Sequence, residues 1–496
     1  MTTTTFSDPP AASQLSRRRR MLVLAVCCAS VIVVVMDISI VNVALPSIRT
    51  DLKTSVSGLQ WTVDAYTLAL ASFLVLAGST ADRVGRRRSF QFGLAVFGLG
   101  SLLCGLAPSI DWLIAARALQ GLGGTMLNPV ALAIVATVFT DPAERAKAIG
   151  VFGSITGLSL ALGPIIGGAL VDSFGWTSIF WINVPIVAAA IVLTALFVPD
   201  SRAPRARRFD PVGQILMVLL LGSVVFATIE SGQLGWSSPA ILGLLAVAVL
   251  SVVGIVLYEL RRTDPLLELR LFRSVPFSSA ILMAMFALCG FSAFLFVTTQ
   301  YLQSVRGMSA LVAGLSLLPV GGLIAFLSPY TGRLVAASGP RTPLLVSGAA
   351  LALGGLASLW LAPSTPVPVV LAIFLLFGLF LGTGNPPITN TAVSGMPRSM
   401  AGVATSLISA ARQTGTTMGV GISGAIVGTA VAHGGSAYTD AEQGVWWLAV
   451  GLGIAMVALC LLSTGRWAKS TAERAAALFE EVDRGAAAPE AAPARR

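Results

Sequence analysis

Apolar residues in this chain gather in long runs separated by short polar loops. A run of about 20 residues, wound as a helix, spans the hydrocarbon of a bilayer. The pattern predicts spans near 21–45, 60–80, 89–107, 112–138, 146–170, 178–198, 211–229, 239–258, 276–301, 310–332, 342–361, 367–392, 401–430 and 445–465, fourteen helices in all. The first run passes Asp37 and stops at Pro46 without a small-residue cleavage pattern. It therefore reads as a retained span and not as a secretory signal. Residues 1–20 form an N-terminus expected to be disordered and cytoplasmic, and 466–496 a cytoplasmic tail, part of it an amphipathic surface helix.

Three stretches repeat at nearly one spacing. Gly78–Arg87 is echoed at Gly332–Arg341 (offset 254), Gly121–Pro129 at Gly378–Pro386 (257), and Gly157–Gly163 at Gly415–Gly421 (258). The repeat predicts an N-terminal six-helix bundle over 21–198 and a C-terminal one over 276–465, in the same orientation. A linker, 199–275, carries two extra helices; an even number preserves that orientation. Parallel repeats of this kind place a substrate near mid-membrane at the repeat interface.

Composition agrees with the pattern. Only 11% of residues are charged and 55% are hydrophobic, against about 25% charged in a typical soluble domain. The net charge of +10 marks orientation, not nucleic acid. Of 32 basic residues, Arg49, Lys53 and Arg306 fall in outer loops and Arg117 and Arg412 within spans; all others lie on the side holding both termini. That bias makes this side cytoplasmic. Trp61, Trp112, Trp176, Trp236, Trp446 and Trp447 are expected near outer helix ends and Trp467 near an inner one. The five cysteines lie in spans without metal-ligand or redox spacing, and the single histidine, His433, has no evident partner. No metal or cofactor is expected. The spans hold no convergent nucleophile and base for an enzyme, and an appended signalling domain of the kind a receptor carries is not expected. A phosphate loop of the GxxxxGK[ST] form is absent, which leaves the proton gradient as the energy source.

Charged residues within spans are costly and face a partner or a water-filled cavity. Arg117 lies in WLIAARALQGLGG; Asp37 and Asp64 lie at comparable depth on neighbouring spans. The three are expected to meet, with Asp64 one turn from its helix's outer end. Such a cluster is either a static pair holding helices together or a proton-coupling centre. Gln120, Asn42, Asn128, Asn183, Asn385 and Asn390 add polar groups, most of them suited to interhelical hydrogen bonds. Arg412, beside Gln413, faces either the substrate pathway or lipid headgroups. Phe286, Phe291, Phe294 and Phe296 are expected to face lipid more than a cavity. Small residues Gly157, Gly163, Gly167 and Gly168 permit close helix approach, and Pro164 removes a backbone donor and bends its helix.

The order of motifs resembles the major facilitator superfamily, and within it the fourteen-helix drug:proton antiporter branch. The marks are MDISIVNVALP at 36–46, GSTADRVGRRR at 78–88, LIAARALQGLGG at 113–124, GLSLALGPIIGG at 157–168 and WTSIFWINVP at 176–185. The resemblance implies proton coupling at Arg117 and a functional role for Asp37. It implies a conformational latch at Gly78, Asp82, Arg83, Gly85 and Arg86, although four arginines alone would serve as a cytoplasmic anchor. The echo carries Ala336 in place of Asp82, so a latch would be one-sided. The Gly157–Gly168 motif resembles a marker of exporters, and Ile422 replaces its Pro164 in the second copy. The expectation is proton-driven efflux of amphipathic small molecules across the inner (cytoplasmic) membrane by a monomer, with partners limited to substrate, protons and lipid bilayer. Proton-coupled import of a small metabolite is the alternative.

Overall fold

The computed structural model describes residues 16–202, 210–262, 268–394, 401–428, 435–468, 470–475 and 477. Outside them lie most of the N-terminus, His433, parts of the 199–275 linker and most of the tail; 466–468 and 470–475 are helical. All regular elements among the described residues are helices. The chain divides into two compact units, Met1–Phe209 with Ser309–Leu315, and Asp210–Met308 with Ser316–Arg496.

The first unit contains α1 (Arg17–Leu52), α2 (Val56–Val84), α3 (Arg86–Gly105), α4 (Ile110–Thr125), α5 (Leu127–Val138), α6 (Pro142–Phe174), α7 (Ser178–Trp181) and α8 (Asn183–Phe197). It also takes in most of α12 (Ala310–Ser316). The second contains α9 (Pro211–Leu234), α10 (Pro239–Glu259), α11 (Val275–Gln300), α13 (Leu318–Ser338), α14 (Arg341–Ser358), α15 (Val367–Val393), α16 (Ala401–Val427) and α17 (Gly435–Ser463).

Local chemistry sets the helix ends. Ser55, Ser109, Asp141, Asp210, Ser238 and Ser274 each accept from a backbone N–H in the first turn, satisfying one of the donors a helix start leaves bare. Prolines follow at Pro142, Pro211 and Pro239, where no N–H is needed. Gly85, at φ +113°, ends α2 and begins α3; a side chain there would be strained.

Proline also explains where expected helices break. The ring crowds the carbonyl four residues back and removes its bond. Pro129 and Pro185 act in this way on Thr125 and Trp181, the last residues of α4 and α7, so 112–138 and 178–198 are each two helices. In α6 the axis turns by 41° between Leu160 and Leu162, and Leu160 is four residues before Pro164. The second-copy helix α16, with Ile422, runs unbroken over 27 residues. Pro46 behaves otherwise: α1 does not stop there but continues to Leu52, as membrane helices can when neighbours re-satisfy the freed carbonyl.

Among the described residues nine helical stretches are long and apolar enough to cross a membrane, eleven when the bent α2 and α6 are counted. This is a multi-pass membrane protein. Helices α3, α14 and α16 cover further expected spans without reaching that measure.

Candidate functional site

Helix α4 brings Arg117 into the interior of the first unit by direct backbone contact. A Cβ on Gly121 would lie 2.5 Å from the Tyr66 carbonyl of α2, and one on Gly123 2.3 Å from the Phe97 nitrogen of α3. Gly100 of α3 approaches Gln120 as closely, at 2.6 Å from its Cα. Arg117 and Gln120, three apart, share one face of α4, and both are completely buried.

Arg117 Nη1 donates to the Asp37 carboxylate of α1 and to Gln120 Oε1 at 2.7 Å. Its Nε donates to the Thr62 carbonyl at 2.9 Å, and its guanidinium lies 4.3 Å from the centre of the Tyr66 ring. Gln120 Nε2 donates to Asp37 Oδ1 at 2.9 Å and to Ser101 Oγ at 3.0 Å. Asn183 Nδ2 donates to the same hydroxyl at 3.0 Å, and Ser101 in turn donates to the Phe180 carbonyl. Asp37 is also 0% exposed. A carboxylate and a guanidinium sealed from water are held by a hydrogen-bond network that draws on six helices, α1, α2, α3, α4, α7 and α8.

Asp64 does not join them. Thr62 and Tyr66 are four residues apart and share the face of α2 that meets Arg117; Asp64, two residues from each, lies on another face. The three-residue meeting expected from sequence is therefore a pair plus a separate acid. Asp64 is also deeper than expected: α2 begins at Val56, eight residues before it, and the residue is 0% exposed. Neither of its carboxylate oxygens accepts a hydrogen bond of ordinary geometry; the Thr67 hydroxyl lies beside it. Asn42 bonds back to the Ile38 carbonyl of its own helix at 2.9 Å and stays outside the cluster. Arg412, in the second unit, donates to Thr389 Oγ1 at 2.9 Å.

The 78–88 stretch is organised around Arg86. It pairs with Asp82 at 3.2 Å and donates to the Thr137 hydroxyl of α5, while its backbone N–H donates to the Ser201 carbonyl at 2.8 Å. Arg83 is exposed, and open space surrounds the place of a Cβ on Gly78. On α6, a Cβ on Gly163 would strike Ser39 Oγ at 2.0 Å, one on Gly167 the Ile40 side chain at 2.5 Å, and one on Gly168 the Ala310 carbonyl at 2.4 Å. Pro164 is buried beside them, its carbonyl 2.2 Å from where Gly314 would carry a Cβ. Gly157 is helical, and its surroundings lie outside the described residues.

Several residues not singled out from sequence enter the picture. Ser101 sits among small apolar residues and gives no sign of its junction role. Asp172, at the end of α6, accepts from the Ala310 and Leu311 nitrogens at 3.1 and 2.9 Å, capping α12. Glu442 of α17 is buried beside Trp446; its place in the polar run before Val445 resembles a loop. Trp176 and Trp446 do not face outward: both are buried within the protein, and Trp176, just past the end of α6, donates to Asp51 near the end of α1 at 2.7 Å. Phe291, Phe294 and Phe296, expected toward lipid, are buried within the second unit. The five cysteines are buried free thiols. Among the described residues no three His, Cys, Asp or Glu side chains converge.

Fold and site define a polytopic α-helical membrane protein with ionisable residues sealed in its interior. Residues 27–420 match the model of the Major Facilitator Superfamily, and the chain belongs to that family. It is 38% identical over 392 residues to the multidrug resistance protein Stp of Mycobacterium tuberculosis, covering 79% of this chain and 73% of that one. Identity to the tetracenomycin C resistance and export protein of Streptomyces glaucescens is 37%, covering 80% and 74%. With the puromycin resistance protein pur8 of Streptomyces alboniger it is 36%, covering 87% and 88%.

Proposed function

We infer that this chain is a proton-driven exporter of amphipathic drugs or antibiotics, working by alternating access. The observation that carries the reading is the buried pair of Asp37 and Arg117 with Gln120 bonded to both. While Asp37 is ionised, the pair is electrically closed. A proton on Asp37 removes the negative charge and leaves Arg117 uncompensated. Breaking a buried pair from one side costs about 3–5 kcal/mol, enough to favour a conformation in which Arg117 finds water or another partner. Proton entry and the change of access are thereby coupled. Asp64, outside the pair, is a second acid able to carry a proton without unmaking it.

The names of the relatives support efflux over import. We assign the chain to the fourteen-helix branch, with bundles at 21–198 and 276–465 and the extra pair between them. It would lie in the cytoplasmic membrane with both termini inside and act as a monomer, without catalysis. Asp82 with Arg86, and the Gly157–Gly168 stretch of α6, would be the elements that make and release contacts as access alternates.

The test is transport by everted vesicles containing the purified chain, acidic inside. Wild type should accumulate puromycin or tetracenomycin C, and Asp37→Asn should lose the gradient-driven part. Undiminished accumulation by Asp37→Asn would remove the reading's main support.

A further inference from the structure

The second intramembrane arginine is built unlike the first. Arg412 is the single charged residue of α16, and α11 and α15, which pack on α16, carry none. The other two neighbours do carry acids, but at the wrong level. On α9, Thr228 lies against Gly421, which places Glu230 about nine or more residues along α16 from Arg412. On α17, Gly444 lies against Ile426, which sets Glu442 and Asp440 farther still. At 1.5 Å per residue these separations exceed about 13 Å, well beyond an ion pair. No acidic oxygen lies within 4.0 Å of Arg412 among the described residues.

A guanidinium offers five N–H donors and keeps its charge. Here one terminal nitrogen reaches Thr389 Oγ1 of α15, and Nε is buried without an acceptor. One turn before Thr389, on the same face of α15, the Asn385 Oδ1 is buried without a donor. An unmet donor and an unmet acceptor thus share one interhelical region. Position argues against a headgroup ligand: Arg412 is eleven residues into a 27-residue helix, about 16 Å from its start.

We propose that Arg412, with Thr389 and Asn385, is a recognition site for the anionic head of an amphipathic aromatic substrate. This rests on the export reading and adds a substrate class: organic anions such as carboxylates or sulfonates. The planar fork of arginine matches two oxygens of such a head. Asn385 and Thr389 add hydrogen bonds that fix its orientation, and the ligand supplies the charge that no acid among the described residues provides.

A matched pair of probes tests it: 8-anilinonaphthalene-1-sulfonate and its uncharged parent N-phenyl-1-naphthylamine. Gradient-driven transport of each is measured in proteoliposomes of the full chain, in phosphatidylcholine with and without phosphatidylglycerol. Wild type should move both. Arg412→Gln should lower sulfonate transport by about tenfold or more while the neutral probe changes less than about twofold, and Arg412→Lys should restore part of the loss. The neutral probe doubles as the check that each variant is folded. Wild type that moves the neutral probe alone, or equal losses of both in Arg412→Gln, would overturn the site and leave export standing. Sensitivity of both probes to phosphatidylglycerol, lost together in Arg412→Gln, would assign the arginine to lipid instead. Movement of neither probe by wild type would remove the export reading together with the site.

Discussion

The two units solve the same packing position in opposite chemistries. In the first, Asp37, Arg117 and Gln120 make a three-way contact between α1 and α4. Adding 257, the offset that relates Gly121–Pro129 to its echo, gives Phe294, Phe374 and Phe377. These also meet. Phe294 stacks on Phe377 with ring centres 4.1 Å apart, and Phe374 stands edge-on to Phe294 at 5.2 Å. All three are essentially inaccessible to water. The repeat preserves which positions touch and exchanges a titratable contact for an inert one. An aromatic pair contributes about 0.5–1.5 kcal/mol beyond its buried area and does not respond to pH. The ion pair binds tightly in one protonation state and opposes burial in the other. On the proposed reading the first unit would carry the switch, while the second packs rings at the corresponding positions and holds its intramembrane cation elsewhere, at Arg412, with no acid beside it among the described residues.

The comparison is sharpest where charge is removed from one side only. Arg117→Met should lower stability by about 3–5 kcal/mol, measured by thermal unfolding in detergent, because Asp37 is left buried without its cation. Adding Asp37→Leu should recover most of that loss while drug transport stays absent, separating stability from coupling. Phe377→Leu in the second unit should cost less, about 1–2 kcal/mol, and leave transport per folded molecule within about twofold. Gln120→Leu should have the smallest effect on folding, about 1 kcal/mol. It should nonetheless alter the pH dependence of transport, since the amide orients Asp37 as well as Arg117. A pH profile unmoved by Gln120→Leu would reduce the amide to packing.

Much of the first unit was legible in the sequence because hydrocarbon makes charge conspicuous. Arg117 needed a partner, and an acid on an adjacent span was the natural one. Choosing between Asp37 and Asp64 needed helix phase: only the structure shows Thr62 and Tyr66 turned to Arg117, which turns Asp64 away. Ser101 was invisible because a serine among glycines and leucines has the same appearance whether it bonds its own helix or joins two others. Proline positions foretold the bend of α6, but not that α4 and α7 would end four residues before theirs. The aromatic cluster was hidden for a different reason. Phe294, Phe374 and Phe377 are apolar residues in apolar runs, and nothing in composition tells a ring facing lipid from one facing another ring. The burial of Trp446 against Phe377 was hidden in the same way.

In the proposed cycle Asp37 takes up and releases a proton as the pair with Arg117 opens and closes. Following pH in a weakly buffered solution of the purified protein while puromycin is added would detect that exchange. Wild type should exchange a proton with the medium on binding the drug, and Asp37→Asn, still able to bind it, should exchange measurably less. An unchanged proton signal in Asp37→Asn would contradict the claim and place the coupling proton on another acid.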